Sequence, residues 1–413
     1  MTLPEPAGAG APEPAGAGAR RLAGTPLREV HERLGATMSA FAGWLMPLRY
    51  GSEIAEHNAV RRAAGLFDLS HMGEISVTGH GAAAALDYAL TGRLSTLAPG
   101  RARYTMICAP DGGVLDDLVV YRLADAEYLI VANAANAALV RAELTERAAT
   151  SERATGFTVT VTDVSLEYAL IAIQGPNAAA ILARLTDAPL ASLKYYASTR
   201  AVVGAVPVLL ARTGYTGEDG FELFCRPDDA VATWSALHEA GTGTGPQADG
   251  QAAGMGLRPA GLAARDTLRL EAGMPLYGNE LSRDVTPFEA GLQRVVTFDK
   301  PGDFVGRAAL AERAQAGPRQ RLIGLTGRTR RIPRHGYPVL LDGEVIGTVT
   351  SGAPSPTLAR PIAMAYVQPR AVEAARGAGE PGGTAGPCDL AVDVRGHAEP
   401  ADYAELPFYR RAR

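Results

Sequence analysis

A short pattern occurs twice in this chain and constrains its fold more than any other feature of the sequence. Residues 75–84, ISVTGHGAAA, resemble residues 171–180, IAIQGPNAAA. In both copies a run of strand character ends at a glycine, and an alanine-rich run of helical character follows it. The repetition predicts an α+β fold with two related units of the split βαβ, or ferredoxin-like, kind.

The composition changes along the 413 residues and predicts how the chain divides. Residues 1–24 are mainly Ala, Gly, Pro and Glu, which bury too little apolar surface to fold, so we expect a disordered tail. Residues 25–300 hold the two interleaved α+β units, with a surface insertion of Gly, Thr, Gln and Ala at 241–258. Short strands and an Asp-Gly hairpin predict a C-terminal β-barrel or jelly-roll domain at 316–411.

The apolar and aromatic segment at residues 40–50 is broken by Gly43 and Pro47. These two breakers predict a buried loop with a short strand. Further along, the strands expected at 104–108 and 114–122 are separated by an Asp-Gly turn, which predicts a hairpin.

Charge and cysteine content exclude several functional classes. Lys and Arg number 40 against 44 Asp and Glu, a net charge of −4 that argues against a general nucleic-acid binder. No apolar run approaches the roughly 20 residues of a membrane span, and the tail lacks the apolar core of a secretory signal. The three cysteines form no CxxC pair, so neither a disulfide framework nor a zinc site is indicated. We expect a cytoplasmic protein that binds no metal.

Two adjacent carboxylates lie within the apolar strand sequence GGVLDDLVVY at residues 112–121. Side chains alternate along a strand, so Asp117 shares a face with Val119 and Tyr121, and Asp116 points to the opposite face. Both faces are apolar, and a shielded carboxylate is costly unless it is paired or hydrogen-bonded. Capping of backbone amides near the turn is the structural alternative, and it applies more to Asp116 than to Asp117.

Two more polar clusters follow downstream. Residues 212–223, RTGYTGEDGFEL, contain glycines that permit close approach to a ligand, with Tyr215 as a flat wall, although an ordinary hairpin also explains the composition. Residues 261–271 predict a helix on which Arg265 and Arg269 share a face, and solvated surface cations are the alternative.

Several mechanisms lack their sequence signatures. The chain has no GxSxG nucleophile motif, no Walker motif and no GxGxxG that opens a helix. Its seven histidines show no metal-ligand spacing. We expect His71 to be structural rather than catalytic.

Taken together, these clusters resemble the aminomethyltransferase (T-protein) family of the glycine cleavage system. The resemblance runs from about residue 25 to residue 411, nearly the whole chain. The matching stretches, in order, are TPL at 25–27, FAGW at 41–44, AAGLFDLSHMG at 63–73, the blocks at 112–121, 131–136 and 212–223, RPAG at 258–261 with Arg265-Asp266, TSG at 350–352, SPTL at 355–358 and PFY at 407–409. The family often has Gly at Ala263 and an aromatic residue at Met274, and neither departure removes a proposed catalytic group.

The resemblance implies two related α+β units and a distorted jelly roll around a central folate channel. It implies tetrahydrofolate as co-substrate and Asp117 as the catalytic carboxylate beside the reacting folate nitrogens. By motif position, the expected folate-binding residues are Met72, Tyr104, Tyr121, Asn133, Tyr215, Glu222, Arg265 and Tyr409. The implied partner is a lipoylated H-protein, whose aminomethyl group becomes ammonia and 5,10-methylenetetrahydrofolate.

The chemistry of such a transfer fits the residues. Loss of ammonia from a thioaminal develops positive charge on carbon, and a fixed carboxylate can stabilise that charge and accept a proton. No covalent enzyme nucleophile is needed. Two alternatives stay open: a related folate-dependent demethylase, which shares the fold, and a non-enzymatic folate-binding module, which would not need Asp117.

Overall fold

The computed structural model describes residues 22–244, 254–377 and 389–412 of the chain. Most of the expected tail, the centre of the expected insertion and Cys388 lie outside these residues. Helix α6 reaches Thr242 and strand β14 begins at Leu257, so both ends of the expected 241–258 insertion belong to regular elements.

The first elements of the described chain are β1 (Ala23–Gly24), α1 (Arg28–Arg33), β2 (Thr37–Phe41), β3 (Trp44–Arg49), α2 (Glu53–Arg62) and β4 (Ala64–Asp68). Strands β1, β3 and β2 form a small sheet, whereas β4 belongs to the sheet of the second unit. Strands β2 and β3 form a hairpin whose turn residues, Ala42 and Gly43, have φ of 49° and 84°. The buried loop expected at 40–50 is therefore wrong. Gly43 lies in the turn of the hairpin and does not interrupt it. Pro47 lies beyond the residues of β3 that pair with β1, so its missing N–H is tolerated there.

The first α+β unit follows. Its elements are β5 (Gly73–Thr78), α3 (Ala82–Ala89), β6 (Arg101–Cys108), β7 (Val114–Ala124), β8 (Glu127–Ala132), α4 (Ala137–Thr155) and β9 (Thr160–Asp163). The strands form one sheet in the order β6-β7-β8-β5-β9. The expected hairpin of β6 and β7 is confirmed, and it continues into β8.

The second unit repeats this arrangement. Its elements are β10 (Ala169–Gln174), α5 (Ala178–Leu182), β11 (Ser198–Val203), β12 (Val206–Ala211), β13 (Gly220–Cys225), α6 (Ala230–Thr242) and β14 (Leu257–Pro259). The sheet order is β11-β12-β13-β10-β4-β14, so the first four strands match β6-β7-β8-β5, and β4 takes the place of β9. The internal repeat is confirmed, with three strands between the two helices of each unit instead of the two in a simple split βαβ fold.

Glycine is required at the same point of both units. Gly79 and Gly175 follow β5 and β10 and have φ of 114° and 131°. A Cβ atom there would lie 2.4 Å from the carbonyl oxygen of Thr158 and 2.6 Å from that of Ala63. The close backbone approach and the positive φ explain why the repeated sequence keeps its glycine.

The two units pack sheet against sheet. Helices α3 and α4 cover one face of the first sheet, and α5 and α6 cover one face of the second. The remaining faces meet in a cluster that we call the inter-sheet cluster. Its largest buried members are Phe67, Leu129, Leu170, Tyr121 and Phe224. Polar side chains that emerge at this interface from either sheet can therefore share one site.

The rest of the chain forms a linking region and a barrel. Its elements are α7 (Leu262–Glu271), α8 (Arg307–Ala316), β15 (Arg321–Gly327), β16 (Pro338–Leu341), β17 (Glu344–Ser355), β18 (Arg360–Val367), α9 (Pro369–Gly377), β19 (Leu390–Asp393) and β20 (Ala398–Ala404). Strands β15-β18-β17-β16-β19-β20 close into a barrel, which confirms the expected C-terminal β architecture. Within the described ranges, no helix is both long and apolar enough to cross a membrane.

Candidate active site

The two adjacent carboxylates lie on opposite faces of β7, as strand alternation predicts. Asp117 pairs in register with Met106 and Asp116 with Ile107 on β6. Asp117 is half-buried and lies on the face of Tyr121, which packs in the inter-sheet cluster. Asp116 is fully buried on the face that packs under α3 and α4. Only Asp117 therefore faces the interface between the sheets.

Three N–H groups converge on Asp116. The backbone N–H of Asn133 donates to Oδ2 at 3.0 Å, and the side-chain amides of Asn133 and Asn136 each donate to Oδ1 at 2.8 Å. Burial, together with the neighbouring Asp117 carboxylate, raises the pKa of Asp116 to about 7, although the amide donors lower it. Through these three hydrogen bonds, the buried carboxyl group of Asp116 fixes the segment that follows β8.

Asp117 has fewer partners. Tyr104 Oη donates to Oδ2 at 3.0 Å, and Asn133 Nδ2 donates to Oδ1 at 2.8 Å. Burial raises the pKa of Asp117, and the hydrogen bonds from Tyr104 and Asn133 oppose that shift because they favour the charged form. The side-chain amide of Asn133 thus donates to both carboxylates. The remaining acceptor positions of the Asp117 carboxylate face the second unit.

The second unit contributes an acceptor. Glu222 on β13 accepts hydrogen bonds from Thr213 Oγ1 and, at 3.3 Å, from Tyr121 Oη. Thr213 and Tyr121 are also within 3.0 Å of each other through their hydroxyl oxygens. Burial raises the pKa of Glu222, and Thr213 and the positive charge of Arg265 oppose this shift. Tyr121 therefore links the two sheets at the site.

A cation and an aromatic ring complete the group. The guanidinium carbon of Arg265, on α7, lies 4.6 Å from the centre of the Tyr215 ring, within cation–π range. The Tyr215 hydroxyl donates to the Pro275 carbonyl oxygen, which fixes the ring. The Arg265 guanidinium has no hydrogen-bond or ion-pair partner among the described residues, and burial lowers its pKa. Its five N–H donors are free for a ligand.

The structure brings together all but one of the expected site residues. Met72 packs against the inter-sheet cluster that contains Tyr121. Tyr409 lies in a different cluster: its ring is 4.0 Å from the Arg61 guanidinium, and its backbone N–H donates to the Glu271 carbonyl oxygen at 2.8 Å. These contacts connect the C-terminal residues to Arg61 near the end of α2 and to Glu271 at the end of α7.

The residue-by-residue sequence reasoning missed three contributors. Thr213 and Asn136 hold Glu222 and Asp116. Tyr196 has a positive φ of 58°, which is rare for an aromatic residue, and burial together with the charges of Glu222 and Asp117 raises the pKa of its phenol. Thr213 and Asn136 lie inside the blocks at 212–223 and 131–136, but only the fold shows that their partners are Glu222 and Asp116.

Helix α7 connects the site to the barrel. Arg269, fully buried, donates to Glu280 and to Ser351 on β17, both at 2.8 Å. Glu271 accepts from Thr357 Oγ1 at 2.8 Å and pairs with Arg61 at 2.9 Å. The motifs at 350–352 and 355–358 thus anchor the barrel to the helix that carries Arg265. In the part of the chain that the structure describes, no group of His, Cys, Asp and Glu side chains could hold a metal ion.

Comparison with known proteins assigns the family. The profile described as GCVT N-terminal domain matches residues 27–300, and that of the glycine cleavage T-protein C-terminal barrel domain matches residues 320–410. The chain is 60% identical over 390 residues to the aminomethyltransferase of Streptomyces coelicolor, covering 94% of this chain and 97% of that protein. It is 44% identical over 390 residues to the aminomethyltransferase of Geobacillus kaustophilus, covering 94% and 99%.

A solved structure gives the same result. The glycine cleavage system aminomethyltransferase T of Bartonella henselae matches with a TM-score of 0.80 and 36% identity, covering 94% of this chain and 98% of that one. Both family profiles, the curated relatives and this fold agree along nearly the whole length of the chain. The chain belongs to the glycine cleavage T-protein family of aminomethyltransferases.

Proposed function

We propose that this enzyme transfers the methylene carbon of an aminomethyl-lipoyl group, carried by a lipoylated H-protein, to tetrahydrofolate. The carbon exchanges its bonds to the ammonia nitrogen and the lipoyl sulfur for bonds to two folate nitrogens. The two protons lost by those nitrogens leave with ammonia and with the lipoyl thiol. The products are ammonia, reduced lipoyl carrier and 5,10-methylenetetrahydrofolate, and we expect the reaction to take place in the cytoplasm.

One observation carries this proposal: the carboxylate of Asp117 lies at the inter-sheet face with a phenol and an amide as its only hydrogen-bond partners among the described residues. A carboxylate held in this way can stabilise the positive charge that develops on carbon when ammonia leaves. It can also accept the proton that a folate nitrogen sheds on attack. Burial raises its pKa, which makes it a better base.

The surrounding groups fit the two ends of a folate. Glu222 offers a carboxylate acceptor to the amine and amide edges of a pterin. The buried Tyr121 orients that carboxylate through its hydroxyl, and Tyr215 offers an aromatic face. Arg265 offers a planar donor group with no protein partner in the described chain, which suits an anionic or carbonyl group of the ligand. We propose Met72, Tyr104, Asn133 and these four residues as the folate-binding set. Tyr409 was expected there by motif position, and its contacts with Arg61 and Glu271 support a structural role instead.

The decisive experiment supplies the enzyme with aminomethylated H-protein and tetrahydrofolate and follows ammonia and methylenetetrahydrofolate. We expect equimolar formation of both products, which requires tetrahydrofolate. A small aminomethyl thiol serves as the comparison substrate, and comparable turnover with it would contradict the proposed carrier. Demethylation of a methylated amine at a higher rate would favour the related demethylase. Folate binding without either reaction would favour a non-enzymatic folate-binding module.

A further inference from the structure

Gln174 ends strand β10 within the second copy of the repeated sequence, and the proposed reaction gives it no role. Its side chain is 1% exposed, and it pairs in register with Gly220, the first residue of β13. Thr78 takes the same position in the first unit, where it pairs with Glu127 at the start of β8. The second unit thus has a buried amide where the first has a half-buried threonine.

Both ends of the Gln174 amide bind the loop that connects β12 to β13, residues 212–219. Gln174 Nε2 donates to the Thr213 carbonyl oxygen at 3.0 Å, and Thr216 Oγ1 donates to Gln174 Oε1 at 2.9 Å. A carbonyl oxygen can only accept, so the first bond fixes which end of the amide is the nitrogen. The corresponding connection in the first unit, between β7 and β8, is residues 125–126. Gln174 therefore holds a loop that the first unit lacks, and holds it on both sides of Tyr215.

Two glycines of the block at 212–223 make room for this amide. A Cβ atom at Gly214 would collide with Oε1 and Nε2 of Gln174. One at Gly220 would lie 2.5 Å from Gln174 Nε2 and from the Ile173 carbonyl oxygen. Neither glycine has a positive φ, so close packing and not backbone conformation requires glycine there. Part of the glycine content of this block therefore admits a side chain of the protein itself.

The loop held by Gln174 contributes to the proposed folate pocket in two ways. Thr213 Oγ1 donates to the Glu222 carboxylate and so orients it. The Tyr215 ring lies with its centre 4.6 Å from the guanidinium carbon of Arg265. A shift of the loop backbone at Thr213 would therefore change both the carboxylate and the ring that the ligand would meet.

We propose that Gln174 is a positioning residue for the folate pocket. By holding the loop on both sides of Tyr215, it sets the position of that ring and the orientation of Glu222 before the ligand binds. Groups that are already ordered bind a ligand more tightly, because the free energy of binding is not spent on ordering them. The inference rests on the proposed function, since it concerns the pocket for tetrahydrofolate.

Two substitutions disturb this contact from opposite sides. Gln174→Met keeps the approximate size of the side chain and removes both hydrogen bonds. Gly214→Ala keeps the amide but displaces it, because the added Cβ atom takes its place. Asn177→Leu is the matched control, since the Asn177 amide belongs to the same copy of the repeat but donates to the Met255 carbonyl oxygen, at 2.9 Å, in the segment before β14. The loop should stay folded in each variant, because Arg61 also donates to one of its backbone carbonyl oxygens at 2.7 Å.

The measurements are the tetrahydrofolate affinity by calorimetry, the KM for tetrahydrofolate and kcat with aminomethylated H-protein, and thermal melts. We expect Gln174→Met and Gly214→Ala each to weaken tetrahydrofolate binding roughly tenfold and to raise KM by a similar factor. The value of kcat should change far less, because Asp117 belongs to the other sheet. Asn177→Leu should bind as the wild type does, even if it melts at a lower temperature.

A double-mutant cycle separates positioning from a general loss of stability. In a Glu222→Ala background one of the two positioned groups is already absent, so Gln174→Met should weaken tetrahydrofolate binding by a smaller factor than in the wild type. A merely structural role would give the same factor in both backgrounds.

The inference is overturned if Gln174→Met binds tetrahydrofolate as tightly as the wild type, or if Asn177→Leu loses as much affinity. Equal factors in the two backgrounds would overturn it as well. If Gln174→Met does not fold, Gly214→Ala in the same two backgrounds decides. A wild-type chain that binds no tetrahydrofolate would instead overturn the proposed function, and this inference with it.

Discussion

The phenol of Tyr104 donates a hydrogen bond of 3.0 Å to Oδ2 of Asp117. That contact joins two strands of one sheet on the face that meets the second unit. The adjacent Asp116 is saturated by three N–H donors, whereas Asp117 retains acceptor capacity for a ligand or a proton. The two carboxylates thus have different environments, and different environments allow neighbouring carboxyl groups to take different roles.

The Tyr104 contact predicts a change in pH dependence. The hydrogen bond favours the charged form of Asp117, so Tyr104→Phe should raise the pKa of that carboxyl group further. The proposed reaction needs the charged form, and activity should rise with pH as Asp117 ionises. The acidic limb of the kcat profile should therefore move to higher pH in the variant, with a similar plateau. A limb that stays in place or moves to lower pH would contradict this assignment.

Asp117→Asn should abolish most turnover while folate binding persists. The substitution keeps the size of the side chain but removes the charge and the basic oxygen. General acid–base contributions are typically about 10²–10⁴-fold, and we expect kcat to fall by that order. Folate affinity should change far less, because the charge matters mainly as the cation develops. Steady-state turnover and calorimetry measure the two effects separately.

Asp116→Asn is the matched comparison. The new side-chain amide would place an N–H donor against an N–H group of Asn133 or Asn136 that now donates its hydrogen bond to Asp116. A buried donor left unpaired costs about 1–3 kcal/mol, so we expect a lower melting temperature and a smaller loss of turnover than in Asp117→Asn. A folded but inactive Asp116→Asn beside an active Asp117→Asn would require the two roles to be exchanged.

The folate pocket is predicted to depend on Arg265 and Glu222. Hydrogen bonds to charged groups are worth about 1.5–3 kcal/mol, so Arg265→Ala or Glu222→Ala should each weaken tetrahydrofolate roughly ten- to hundredfold. Arg61→Ala is not a suitable control because Arg61 holds the barrel connection. Arg200→Ala, on an exposed side chain of β11, is suitable and should leave the affinity unchanged. Unchanged affinity in both pocket variants would place the pocket elsewhere.

Local patterns predicted a large part of this architecture. The repeat at 75–84 and 171–180 predicted the two units, and alternation along β7 predicted that Asp116 and Asp117 lie on opposite faces, with Asp117 on the face of Tyr121. The insertion of β4 into the second sheet was not predictable, because its partner β10 lies about 100 residues along the chain and no local signal encodes that pairing. The same holds for Thr213, whose two partners come from separate sheets.

The two interpretations of helix α7 show a second limit of prediction from the sequence. Arg265 and Arg269 share a helix face, and sequence alone left them as possible surface cations. In the fold both are shielded, Arg265 at the inter-sheet site and Arg269 against Glu280 and the barrel. Helical spacing states which residues share a face but not what covers that face. Arg265 is covered by Tyr215, and Arg269 is covered by Glu280 and by Ser351 of the barrel, so the burial of both follows from long-range packing.

The connection between α7 and the barrel gives the last prediction, which concerns stability. Glu271 is fully buried among His57, Arg61, Ser355 and Thr357. Burial alone would raise its pKa, but the hydrogen bonds and charges of His57, Ser355 and Arg61 lower it to about 2. A folded pKa below the unfolded one means that the ionised carboxylate stabilises the fold above pH 4.5, and that this stability is lost as the pH falls toward 2.

Glu271→Gln should therefore lower the free energy of unfolding by roughly 3 kcal/mol at neutral pH, with the difference from wild type shrinking as the pH falls through that window. Glu32→Gln removes the exposed pair with Arg28 and serves as the control, with an expected loss below about 1 kcal/mol. Chemical unfolding at several pH values measures both variants, and a Glu271→Gln deficit that is small at pH 7 or constant with pH would show that the buried charge does not hold the barrel in place.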